Sequence, residues 1–101
     1  MNSSDLVKQI RAGFIHQEKR DQHIFKLLET IFTSSKLVVD IGARLGVYTK
    51  YANACLENGK IIAIEAAPVP FEELKANCAE WQALSTNEIV TLNKAVTDRN
   101  E

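Results

Sequence analysis

Lys36-Leu-Val-Val-Asp40-Ile-Gly-Ala-Arg-Leu-Gly46 is the stretch on which the fold turns. A short run rich in β-branched residues stops at Gly42, which reads as a strand buried on both faces followed by a tight turn. Val47 to Glu57 then has helical character, and Asn58-Gly59 supplies the left-handed residue that commonly ends a helix. Ile61-Ile-Ala-Ile64 is a second strand ending at Glu65. Pro70 suits the first turn of the next helix, where Glu72 and Glu73 are expected to meet the helix dipole. That helix is expected to run to about Leu84, and Ile89-Val-Thr-Leu92 is the third strand. Strand and helix alternate with connections short enough to demand parallel pairing through right-handed crossovers. The expected fold class is therefore α/β: half of a doubly wound, Rossmann-like sheet, with three parallel strands and their helices.

Upstream, Leu6, Val7, Ile10 and Phe14, then Ile24, Leu28, Ile31 and Phe32, fall at helical spacing around a polar patch from His16 to His23. This is one long helix or two; Ser4 or Asp5 is a candidate cap for the first, and Asp21 for a second if the chain breaks there. Residues 1–34 are thus expected to form a helical segment and 35–101 the partial ligand-binding domain.

With 101 residues, 46% hydrophobic and 25% charged, the chain has room for one small globular domain. Its formal charge of −1 gives no basic surface that would favour nucleic acid or an anionic membrane. No apolar stretch approaches the roughly 20 residues of a membrane helix, and no basic leader precedes an apolar core at the N-terminus. A cytoplasmic location is the expectation. Cys55 and Cys78 lack metal-ligand spacing and are too few for a disulfide scaffold, so they read as reduced, structural thiols that the two crossover helices place on one side of the sheet. His16 and His23 have no matching ligand set and read as surface residues.

The chemistry belongs at the carboxyl ends of the strands, where open α/β sheets bind ligands. Gly42 turns the backbone and lets a ligand approach, while Gly46 permits tight packing. Glu65 follows Asp40 by 25 residues, near the offset of about 20 at which nucleotide folds place an acid on a ribose diol. A pyrophosphate needs a G-x-G-x-x-G turn, whereas this loop is G-x-x-x-G with Asp40 beside it. Like charges about 4 Å apart repel by roughly 4 kcal/mol at an effective dielectric of about 20. A cationic nucleoside such as S-adenosylmethionine reverses that sign, and no P-loop run offers a triphosphate site.

Four blocks carry a family resemblance: Val39-Asp-Ile-Gly-Ala-Arg-Leu-Gly-Val-Tyr-Thr49, Ile62-Ala-Ile-Glu65, Pro68-Val-Pro-Phe-Glu-Glu-Leu-Lys-Ala-Asn77 and Asn93-Lys-Ala-Val-Thr-Asp98. In this order they resemble the N-terminal half of FkbM-type S-adenosylmethionine-dependent methyltransferases. The resemblance implies that Asp40, Gly42 and Gly46 line the methionine end of the cofactor, that Glu65 holds the ribose, that Ala43 and Ala66 belong to the cofactor site, and that the turn from Ala95 to Asp98 flanks the adenine. It allows Tyr48 near the cofactor. Arg44 stands where the family usually has Asn, and Ala66-Ala67 where it usually has Pro-Asn. The half of the family pattern that supplies most acceptor and catalytic contacts lies beyond the matched blocks, so the segment alone is expected to be inactive.

Plainer readings exist for each residue. Asp40 and Glu65 also fit solvated strand ends, the glycines turn geometry alone, Tyr48 and Thr49 packing and capping, and Phe71 and Trp81 core or edge anchors. The competing function is a non-catalytic module that binds nucleoside weakly or docks on another chain. Three strands with all helices on one face leave about six apolar side chains bare, a shortfall on the order of 10 kcal/mol against a typical domain stability of about 5–15 kcal/mol. Self-association or a complementing chain is the expected consequence, with the first strand as an open edge.

Overall fold

The computed structural model describes residues 19–96, and side chains from residue 24 onward. Helix α1 (Lys19–Thr33) leads into β1 (Leu37–Ile41), α2 (Val47–Cys55), β2 (Lys60–Ile64), α3 (Pro68–Ala83) and β3 (Glu88–Leu92). The strands form one sheet in the order β1-β2-β3, and both pairings are parallel. This is the expected half of a Rossmann-like sheet. Asp21 lies inside α1 rather than capping a second helix. Ser4, Asp5, His16 and the first apolar cluster lie outside the described residues, as do Thr97, Asp98 and the side chain of His23.

Parallel register sorts the strand residues into two faces. Leu37, Lys60 and Glu88 stand side by side, as do Val39, Ile62 and Val90, and Ile41, Ile64 and Leu92. The alternate rows are Val38, Ile61 and Ile89, then Asp40, Ala63 and Thr91. Helices cover only this second face. Ile61 is fully buried with Phe25 and Phe32 of α1 and Tyr51, Ala52 and Ala54 of α2, and Ala63 packs with Ala43, Leu74 and Cys78 against Phe71 and Trp81. The other face is bare at β1, where Leu37, Val39 and Ile41 remain 57%, 49% and 61% exposed. The expectation of a first strand buried on both faces is thus overturned, because two consecutive crossovers of one hand deliver α2 and α3 to the same side.

Tyr51 ties α1 to α2. Its ring tilts against Phe25 and Phe32 at centroid distances of 5.6 and 6.0 Å, and its hydroxyl donates to the Phe25 carbonyl at 3.1 Å. At the amino ends of the strands, Asn87 Nδ2 donates to the carbonyl and Oδ1 of Asn53 and to the Leu56 carbonyl, while its Oδ1 accepts from the Gly59 N–H. Every arm of that buried amide is satisfied, as burial requires.

Several local expectations shift. Helix α2 stops at Cys55 with Leu56 extended, so left-handed Asn58 shapes the following turn instead of capping the helix. In α3, Pro68 opens the helix after Ala67, and Glu72 and Glu73 fall beyond the first turn, where the dipole has faded. Cys55 and Cys78 pack into different clusters, one with α1 and α2 and one under α3.

Candidate functional site

The carboxyl ends of β1 and β2 are fused by the loop between them. Gly42 and Ala43 both donate backbone N–H groups to the Ile64 carbonyl, at 2.8 and 3.0 Å, which folds the loop over the end of β2. Gly42, Arg44 and Gly46 all have positive φ, at 73°, 53° and 98°. Only glycine enters that region without strain from a Cβ, so Arg44 holds a costly backbone there.

The two glycines serve different ends. A Cβ on Gly42 would meet nothing within 4 Å, so that end of the loop is open to an approaching ligand. A Cβ on Gly46 would lie 2.8 Å from Trp81 Cζ3 and 2.9 Å from Leu74 Cδ1, so this glycine exists to let α3 close on the loop. Ala43 also points inward, into the cluster beneath α3. Ala66 and Ala95 are both exposed at the rim.

Asp40 faces the covered side of the sheet. Its Oδ2 accepts from the Thr49 hydroxyl at 2.7 Å, and the Thr49 backbone N–H adds a second bond. An acid is thereby held at the amino end of α2, where the helix dipole favours it and where Gly46 offers no side-chain cap. Burial pushes the Asp40 carboxyl above its ordinary value, the Thr49 bonds oppose the rise, and the charge of Glu65 adds to it. Thr49 is fully buried and acts as the donor that fixes Asp40. Its pairing was hidden in the sequence, since the two lie nine positions apart across loop and helix.

Glu65 bridges two loops. Its Oε1 accepts from the Arg44 N–H at 2.8 Å and its Oε2 from the Ala67 N–H at 2.9 Å. These bonds, Ala67 first and then Arg44, hold the carboxyl below its ordinary value against a smaller opposing cost of desolvation. Asn93, at the end of β3, donates its amide to the carbonyls of Glu65 and Ala66 at 2.9 and 3.2 Å and so secures the same turn. Asn77 of α3 likewise donates to the Leu45 carbonyl at 3.0 Å. Asn77 and Asn93 sit in the quoted blocks, yet only the folded chain shows what they hold.

Two other side chains resolve simply. Tyr48 turns toward α1 and stacks on Phe25 with centroids 5.6 Å apart, the packing role. Cys78 is buried beneath α3, and burial with the nearby charge of Asp40 pushes its thiol up to about 11, leaving it protonated and unreactive at neutral pH.

An adenosyl cofactor fits these residues in two respects. A carboxylate offers about four acceptor positions, and the N–H groups of Ala67, Arg44 and Ala66 draw on three of those on the buried Glu65, leaving one for a ribose hydroxyl. The space over Gly42 is clear. No helix among the described residues is long and apolar enough to cross a membrane.

No protein-family profile matches the chain. Over 79 residues it is 33% identical to a protein of Sordaria araneosa named Methyltransferase sdnD. The aligned stretch is 78% of this chain and 30% of that relative, so the chain spans less than a third of the protein it resembles. The name of this distant relative supports a methyltransferase family and nothing finer.

Proposed function

We propose that the chain is the cofactor-binding part of an S-adenosylmethionine-dependent methyltransferase of the FkbM kind, which transfers a methyl group to an oxygen or nitrogen nucleophile. The observation that carries the reading is the Glu65 carboxylate, fixed by N–H groups from two different loops at the end of β2 with acceptor capacity left for a ribose hydroxyl. On this reading Glu65 takes the ribose diol beside Ala66, Ala95 borders the base, and Gly42 gives the loop its clearance. The cofactor, when bound, supplies the electrophilic methyl group. The chain's own part is to bind and orient it; positioning of this kind accounts for much of the rate of in-line transfer.

Calorimetry with S-adenosylhomocysteine tests the proposal. Binding is expected, and Glu65→Ala, checked for folding by circular dichroism, should weaken it roughly tenfold through loss of a charge-assisted hydrogen bond to the diol. No heat at millimolar protein and ligand, or an affinity indifferent to Glu65, would overturn it and leave the non-catalytic module as the better reading.

A further inference from the structure

The acid expected to greet a cationic cofactor from the first loop is turned away from the opening. Asp40 is held on the helix-covered side by Thr49, whose hydroxyl occupies Oδ2 at 2.7 Å. The charged side chain that the same loop presents outward is Arg44, which is exposed. Among the described residues its guanidinium makes no hydrogen bond or ion pair, although its charge helps to hold the neighbouring Glu65 carboxyl below its ordinary value.

Backbone geometry fixes where that guanidinium starts. The Arg44 N–H lies 2.8 Å from Glu65 Oε1, and with an N–Cα bond of about 1.46 Å the Arg44 Cα is at most about 4.3 Å from the same oxygen. The side chain therefore leaves the loop beside the carboxylate assigned to the ribose. It does so from a left-handed backbone, φ 53°, that an arginine adopts only against steric resistance. A strained residue at a ligand-facing loop is where a functional role is reasonably sought.

We infer that Arg44 is a specificity-determining residue that grips the carboxylate of the cofactor's amino-acid tail, a planar anion its guanidinium fork can take in two parallel hydrogen bonds. This rests on the methyltransferase reading above. The chemistry has an internal logic. A guanidinium beside a sulfonium and an ammonium is repelled by both; the nearby Glu65 carboxylate offsets part of that, and the cofactor's own carboxylate is the one negative group on the ligand that can offset the rest. The loop thus recognises the tail through its anion, with Asp40 reserved for holding α2.

Three ligands separate this inference from the reading it rests on: S-adenosylhomocysteine, the analogue lacking only the tail carboxylate (S-adenosyl-3-thiopropylamine), and 5′-methylthioadenosine, which lacks the tail. The wild-type chain should bind the first at least tenfold more tightly than the second. Arg44→Asn keeps the backbone N–H and suits a left-handed residue, so it should lose that tenfold for S-adenosylhomocysteine while binding 5′-methylthioadenosine unchanged. Arg44→Lys, with the charge but not the fork, should fall between. Equal wild-type affinity for S-adenosylhomocysteine and the decarboxylated analogue overturns the role of Arg44 and leaves the site standing. So does an Arg44→Asn variant that weakens all three ligands alike, since that marks a structural effect. If the wild-type chain binds none of the three, the site reading fails and the inference falls with it.

Discussion

The same three strands present two unlike faces. On one, Ile61 and Ala63 are fully buried beneath α2 and α3. On the other, two complete rows of aliphatic side chains, Val39-Ile62-Val90 and Ile41-Ile64-Leu92, have no layer among the described residues above them. Only the outermost row of that face is polar in part, with Lys60 and Glu88 3.9 Å apart. The difference teaches that strand composition did not decide which side is covered. Both faces are apolar enough to be core, and the hand of the crossovers chose between them.

The sharpest way to break this comparison is a pair of neighbouring truncations in β2. Ile61→Ala on the covered face should cost about 2–5 kcal/mol in denaturant unfolding, the usual range for emptying a buried aliphatic site. Ile62→Ala on the bare face should cost about 1 kcal/mol or less, because less contact is lost. Equal costs would mean that something covers the bare face in solution, as self-association or a complementing chain would do, and sedimentation of the wild-type chain would then show an assembly.

A second contrast lies within the loop. Gly46→Ala should destabilise by about 2–4 kcal/mol, combining a left-handed backbone with overpacking against Trp81 and Leu74. Gly42→Ala meets open space and should cost only the backbone share, about 1–2 kcal/mol. Thermal melts of the two variants give the comparison directly, and a reversed order would contradict the packing of α3 on the loop.

The smallest effect concerns pH. Asp40, on the covered side, has its carboxyl raised from an ordinary 3.8, so its contribution to stability is complete below that pH and is lost as pH rises through the folded-state value. Glu65, at the rim, is lowered from 4.5, so its contribution is present above that pH and is lost as pH falls through the folded-state value. Asp40→Asn should therefore gain in relative melting temperature between about pH 4 and neutrality. Glu65→Gln should lose the wild-type decline on the acid side. Melting curves from pH 3 to 7 that move both variants in one direction would contradict the assigned environments.

Much of the fold was legible because it rests on local signals. β-Branched runs stopping at Gly42 and Glu65 mark the strands, and Pro68 and Pro70 mark a helix start. Less of the site was legible. The loop and both acids could be picked out by position, but the directions of their side chains could not. Asp40 turns inward because Thr49, one turn into α2, reaches it, and Glu65 is clamped because the folded loops bring the Arg44 and Ala67 N–H groups to its two oxygens. Neither pairing has a periodicity to read.

From the sequence alone came the order of elements, their parallel pairing and the loop at which a ligand site belongs, since alternating strand and helix with short links leaves few other topologies. Tertiary structure alone decided which face of the sheet the helices cover and how deep each acid lies. It also showed that the outward-facing charge of the loop is Arg44 rather than Asp40. Those outcomes depend on contacts between residues distant in the chain, and burial and hydrogen-bond geometry exist only once the loops close over the strand ends.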